Sequence, residues 1–165
     1  MHLPINEVDQ VSKSGRVVAV CISERKGTQK KDVGEARLTE DYGIEKDAHA
    51  GPGHRQVSLL ALESADTMRA KGLDIDSGDF GENIVTEGIH LKDLQLGTRL
   101  KVGKESLLEI TQIGKECHDR CAIYYKAGDC IMPREGIFAR VLKGGTIHVG
   151  DKIEILSNLA RSRRL

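Results

Sequence analysis

Apolar positions along this chain fall into short runs separated by polar, glycine-bearing stretches, a rhythm of strands rather than of long helices. Residues 16–22, RVVAVCI, are β-branched and almost continuously apolar, which predicts a central strand with Cys21 as a packed core thiol. Residues 57–60 predict a second strand. In residues 62–71, Ala65, Met68 and Ala70 recur at helical spacing and Gly72 supplies the stop, so a short amphipathic helix with Met68 in the core is expected. A turn around Asp79, with Phe80 as its aromatic anchor, then leads into a strand over residues 83–86. Beyond Gly88, short strands are predicted at 98–102, 106–113, around Ile147 and His148, and at 152–156. Residues 96–102 (LGTRLKV) and 149–155 (VGDKIEI) echo each other in outline. The chain therefore reads as mainly β with small helices, an α+β chain built on a meandering or barrel-like sheet.

Three stretches depart from that rhythm. Residues 24–43 (ERKGTQKKDVGEARLTEDYG) are polar and punctuated by glycine, and read as a solvated loop. A sharper alternative makes their cluster of Arg25, Lys26, Lys30 and Lys31 a basic loop leaning over a phosphate-bearing ligand. Residues 46–55 (KDAHAGPGHR) are a loop, since Gly-Pro-Gly continues neither a helix nor a central strand. They carry His49, His54 and Arg55 as binding candidates. In residues 133–145, Ile137, Phe138, Val141 and Leu142 space as a short apolar helical face opened by Pro133 and hinged at Gly136, with Arg134 and Arg140 flanking it. These two guanidinium groups are candidate anion clamps, or partners of Glu135 and Asp129. Glu82 and Asn83 are candidates for a site or for satisfying backbone groups at a strand entrance.

Composition narrows the classes. The 165 residues suit one domain, and 25 basic against 25 acidic residues argue against a nucleic acid or membrane partner. Only 3% of residues are aromatic and none is Trp, which disfavours a base-stacking platform. The first residues are polar and resemble no signal peptide, so a cytoplasmic location with reduced cysteines is expected. The expected organisation is an N-terminal segment 1–15, a domain over 16–157, and a basic, disordered tail over 158–165.

Chemistry concentrates in residues 117–140, CHDRCAIYYKAGDCIMPREGIFAR, which hold three of the four cysteines. Lys115, His118 and Arg120 lie within three residues of Cys117, and cations nearby favour the reactive thiolate. Three readings stand for these cysteines. Cys117, Cys121 and Cys130 with a histidine supply four zinc ligands. Alternatively, Cys117 and Cys121, four apart, simply pack on one face of a helix or form a redox-labile pair, with Cys130 structural as well. Finally, Cys117 is a functional thiolate placed just after the strand 106–113, with Cys121 as a resolving thiol.

Taken in order, GRVVAV, DAHAGPGHRQVSLL (47–60), GDFGENI (78–84), LGTRLKVG (96–103), LEITQIGKEC (108–117), GIFARVLKGG and VGDKIEI resemble the MOSC domain, named after the C-terminal part of molybdenum-cofactor sulfurases. The resemblance spans nearly the whole chain and implies a β-barrel fold with small helices. It implies binding of molybdenum cofactor (molybdopterin) or sulfur handling for it, with Cys117 as persulfide carrier or molybdenum ligand. Family members often carry an Arg and a directly preceding Pro before this cysteine; here Gly114 and Glu116 stand there, and Arg120, Arg134 or Arg140 would substitute as anion contacts. The chain resembles the small stand-alone form, without a pyridoxal-phosphate domain. Its implied partners are a cysteine desulfurase, which would supply pyridoxal-phosphate chemistry, and a molybdoenzyme or cofactor-biosynthesis protein. His49, His54, Arg55, Asn83, Arg120, Arg134 and Arg140 are the implied cofactor-binding residues. The rival functions are a non-catalytic molybdopterin-holding chaperone module and a zinc-stabilised interaction domain.

Overall fold

A computed structural model describes residues 14–114 and 131–156. Seven strands close into a barrel in the order β11-β7-β8-β9-β5-β6-β1, with β1 returning to β11. They are β1 (Ser14–Ile22), β5 (Val57–Ala61), β6 (Ile84–Glu87), β7 (Arg99–Val102), β8 (Ser106–Ile113), β9 (Ile137–Lys143) and β11 (Lys152–Leu156). Closure removes the open edges that a flat sheet of this size would expose. Every pairing in the ring is antiparallel except that of β5 with β6. The connection between those two carries helix α1 (Leu62–Arg69), as a parallel crossover requires.

The strand β1 is long enough to serve three partners. Residues 14–16 pair with β11, residues 16–20 with β6, and Cys21 and Ile22 with the two-residue β2 (Lys31–Asp32). A register shift between Val17 and Ala19 bends it from one neighbour to the next. The echoed segments LGTRLKV and VGDKIEI supply β7 and β11, which pair directly, Ile153 opposite Val102.

Inside the barrel, Val17, Val20, Leu59, Ile84, Leu100, Leu108, Ile110, Ala139, Val141 and Ile153 form one dry core. Outside it, Leu60, Ala65, Met68, Ile75, Phe80, Ile131, Met132 and Phe138 form a second cluster beneath α1. With both faces covered, β5 loses the alternation of a one-sided strand and all five of its residues are buried. Met68 and Phe80 occupy the places their spacing predicts, and Cys21 is a buried free thiol.

Two expectations are corrected. Residues 137–142 are not a helical face but most of β9, hydrogen-bonded between β5 and β8. Their apolar run matched either period because Ile137, Ala139 and Val141 face the barrel core while Phe138 faces the outer cluster. Only the single turn α2 (Met132–Glu135) precedes the strand. The polar stretch 24–43 is also not one solvated loop. It contains β2, β3 (Glu35–Thr39) and part of β4 (Gly43–Ile44), and β3 pairs with β10 (Gly145–His148) in a small separate sheet. Short strands whose outer residues are Glu35 and Arg37 leave too little alternation to read. Cys117, His118, Arg120, Cys121 and Cys130, and the tail from 158 onward, lie outside the described residues.

The turn before β6 packs tightly against the 24–43 stretch. Gly78 has φ +93°, and a Cβ there would lie 2.2 Å from the Lys30 carbonyl oxygen. Gly72 has a similar φ of +94° with open space around it. Gly78→Ala is therefore expected to cost about 3 kcal/mol by combining backbone strain with a clash, and Gly72→Ala about 1 kcal/mol from strain alone. Urea unfolding of both variants checks this; equal losses would contradict the close approach at Gly78.

Candidate functional site

The loop between β4 and β5 is built around one carboxylate. Asp47 is buried, and its Oδ1 accepts from the Lys30 ammonium at 2.8 Å and from Ser23 N–H at 3.0 Å. Its Oδ2 accepts the His49 N–H at 3.1 Å. The side chains of Lys30 and Asp47 are both fully buried. Lys30, read as part of a solvated basic loop, is thus a structural ion: its carbonyl lies against Gly78 and its ammonium reaches under the 46–55 loop. A run of basic residues in sequence does not reveal which one turns inward.

At its far end the same loop is fastened to β8 and β9. His54 Nε2 meets Gln112 Oε1 at 2.8 Å, and Gln112 Nε2 donates to the Gly114 carbonyl at 2.8 Å. The Thr111 hydroxyl donates to the His54 carbonyl. Buried Gln56 accepts Val141 N–H at 2.9 Å through its side chain and donates to Asp41 at 3.0 Å. Arg55 lies with its guanidinium carbon 5.8 Å from the centre of the Phe138 ring, a cation–π contact that restrains an otherwise exposed side chain.

Between these fastenings lies a cleft of about 490 Å³ lined by Lys26, His49, Ala50, Gly51, Pro52, Gly53, His54, Arg55 and Phe138. Three of the predicted binding residues, His49, His54 and Arg55, thus meet in one place, joined by Lys26 from the basic stretch. Phe138 was missed because its segment was assigned to a helix. No carboxylate is among the described residues lining the cleft, so its field favours an anion.

The remaining candidates among the described residues lie elsewhere. Asn83 is fully buried: its Oδ1 accepts from Ser58 N–H at 2.9 Å and Ser58 Oγ at 3.1 Å, and its Nδ2 donates to the Cys21 carbonyl at 2.9 Å. It ties three strands together and does not line the cleft. Glu82 likewise holds its turn, accepting Gly78 and Phe80 N–H groups at 3.0 Å each. Burial pushes its carboxyl up to about 7 against those two bonds. Arg134 lies 4.0 Å from the Met68 sulfur, and Arg140 pairs with Glu109 at 3.6 Å; Asp129, the other proposed partner, lies outside the described residues. Neither lines the cleft. Glu135 is taken by the Ser64 hydroxyl at 2.6 Å and Lys92 at 3.7 Å. Cys21 carries no accessible thiolate, because burial and then the neighbouring Glu82 and Asp32 carboxylates push its thiol far up.

The sequence matches the MOSC domain over residues 45–154, two thirds of the chain. The chain belongs to the MOSC domain family. Solved structures agree on the fold. The YuaD protein of Bacillus subtilis is similar with a TM-score of 0.72 at 18% identity, over 86% of this chain and 95% of that one. YiiM from Geobacillus stearothermophilus gives 0.65 at 19% identity, over 87% and 75%. YiiM from Escherichia coli gives 0.61 at 20% identity, over 87% and 70%. No match is found among curated proteins. The MOSC barrel expected from the ordered motifs is therefore the observed one, and every described residue lining the cleft except Lys26 lies on its matched portion. Among the described residues no helix is long and apolar enough to cross a membrane.

The buried pair sets a pH dependence. Burial raises the Asp47 carboxyl, but the Lys30 hydrogen bond and charge and the Ser23 N–H outweigh it, leaving it below the ordinary value of 3.8. A depressed carboxyl contributes stability that is present above 3.8 and lost as pH falls through the lower folded value. In Lys30→Met the carboxylate stays buried without its cation. That substitution is expected to cost about 3–5 kcal/mol near neutral pH. The cost should shrink as pH falls and the carboxyl protonates. Urea unfolding across this range checks it, and a pH-independent penalty would contradict the assignment.

Proposed function

We propose that this MOSC-domain chain binds a phosphate-bearing cofactor of the molybdopterin class in the cleft and uses the Cys117 thiolate on it. The observation that supports this most is the convergence of Lys26, His49, His54 and Arg55 around one cleft beside the end of β8, with no carboxylate among the described residues that line it. Cys117 follows that strand, three residues after Gly114, whose carbonyl accepts from the Gln112 that also contacts His54. Lys26 and Arg55 supply the charge for a phosphate, and Arg55, stacked on Phe138, presents its planar fork with little orientational freedom. The described residues thus fit the anionic end of the cofactor. The soft ligand or nucleophile must come from another cysteine than Cys21, whose thiol is sealed in the core.

When bound, such a cofactor supplies molybdenum–sulfur chemistry. The protein's part in the sulfur-carrier reading is exchange at Cys117. Its thiolate attacks the terminal sulfur of a desulfurase persulfide, the donor's S–S bond breaks, and a new S–S bond forms on Cys117 as the donor leaves as a thiolate. No external oxidant is consumed. In the holding reading, the same cleft retains the cofactor and Cys117 ligates molybdenum.

Intact-mass analysis after incubation with a cysteine desulfurase and cysteine separates the two. A sulfur adduct mapped to Cys117 and lost in Cys117→Ser is expected of a carrier; loading that persists in Cys117→Ser removes that role. Calorimetric titration with inorganic phosphate tests the cleft. Arg55→Ala is expected to weaken binding roughly tenfold or more, with Arg55→Lys restoring only part of it. Unchanged affinity in Arg55→Ala would contradict the anion reading.

A further inference from the structure

The far end of the cleft loop is gripped by two consecutive residues of β8. The Thr111 hydroxyl donates to the His54 carbonyl, and Gln112 Oε1 lies 2.8 Å from His54 Nε2. Neighbours in a regular strand point to opposite faces, so Thr111 and Gln112 would ordinarily serve different partners. They meet at His54 because β8 is irregular there. Ile110 stands opposite Ala139 and Gln112 opposite Phe138, which are consecutive in β9, so Thr111 is the extra residue of a bulge.

These bonds fix chemistry as well as position. Gln112 Nε2 donates to the Gly114 carbonyl at 2.8 Å, and a carbonyl only accepts, so the amide is oriented with its oxygen toward the ring. That oxygen cannot donate. His54 Nε2 therefore carries a proton, and in the neutral imidazole Nδ1 is left with a lone pair. His54 is exposed and lines the cleft, and Nδ1 is the ring nitrogen not engaged by the described residues. A lone pair repels an anion. Turning the ring to offer Nε2–H instead would forfeit the Gln112 bond. His54 is thus left to meet an anion by taking a proton at Nδ1. The charged and titratable groups around the ring are Lys26, His49 and Arg55 along the cleft. From β8 and β9 come Thr111, Gln112 and Phe138, which do not ionise near neutral pH.

We propose that Gln112 is a positioning residue that makes anion binding at His54 proton-linked: a proton from solvent adds to Nδ1 as the anion enters, and the imidazolium Nδ1–H donates to it. The cleft then holds its ligand more tightly at lower pH. This role rests on the anion reading of the cleft; the orientation of the Gln112 amide and the ring does not.

Inorganic sulfate is the probe, since unlike phosphate it gains no proton near neutral pH. Long-range proton–nitrogen correlation spectra, with His54→Gln assigning the signal among six histidines, locate the pH above which the free ring is neutral. There the ring should carry its proton on Nε2, and an Nδ1–H ring overturns the proposal. Above that pH, calorimetric titration in buffers of different ionisation enthalpy should show uptake of about one proton per sulfate. Affinity should fall roughly tenfold per pH unit in the same range. Both effects should be lost in His54→Gln, which keeps His49. In Gln112→Leu the ring is free to turn Nε2–H to the anion, so sulfate should still bind with uptake well below the wild-type value. Uptake that persists in His54→Gln, or that is unchanged in Gln112→Leu, overturns the role given to that residue. Sulfate binding without proton uptake overturns the proposal and leaves the anion reading standing. Absence of sulfate binding overturns the anion reading and the proposal with it.

Discussion

The cleft depends on a buried ion pair that does not itself line it as a charged wall. Lys30 and Asp47 come from two segments that share no sheet, one leading into β2 and one following β4. Each is costly to bury alone, and their contact at 2.8 Å offsets that cost only because further hydrogen bonds satisfy the remaining protons and lone pairs. Ser23, His49 and Asn83 provide them. A pair so completely satisfied resists sliding, since any shift of either segment exposes a bare charge to a low-dielectric interior. It therefore acts less as a source of net stability than as a pin of relative position. The loop that carries His49, Gly51, Gly53, His54 and Arg55 is pinned by it at one end and by His54 and Gln112 at the other.

Between those two pins the loop needs no regular structure of its own. Loops that bind ligands gain precision when a rigid scaffold fixes both ends. Here the scaffold is the closed barrel, whose strands β8 and β9 supply Gln112, Thr111 and Phe138 to the loop from outside the ring. Closure matters for this role. An open sheet could twist and carry the ends of the loop apart, whereas β1 pairing with both β6 and β11 ties the ring's first and last members.

Much of this was legible in the sequence. The β-branched run of β1, the periodicity of α1 with Met68 inside, the Phe80 anchor and the paired echo of β7 and β11 follow from local pattern, because each of these elements shows one buried face or a full apolar run. The loop candidates His49, His54 and Arg55 were legible because Gly-Pro-Gly admits no regular element. What was not legible depends on partners distant in sequence. β9 lacks alternation because two cores meet across it. β3 is defined by β10, more than a hundred residues later, and by little of its own composition. Lys30 looked like its neighbours Arg25, Lys26 and Lys31, and only a carboxylate 17 residues away distinguishes it.

That last failure bears on how the cleft should be understood. A basic stretch over a ligand and a solvated basic loop were alternatives for the whole segment 24–43, yet the fold divides its cations. Lys26 faces the cleft and Lys30 turns under it. The two tasks are complementary. Lys26 adds exposed charge, which salt screens and which steers an anion from a distance. Lys30 adds none that a ligand can reach, and holds Ser23, Asp47 and His49 together beneath the cleft. Replacing Lys30 by Arg keeps the formal charge but not the role, since a guanidinium fork has neither the compact reach nor the three-way geometry that Ser23, Asp47 and His49 demand at Nζ. Charge counting along the segment treats the two lysines as equivalent; the acceptors around Lys30 show that they are not.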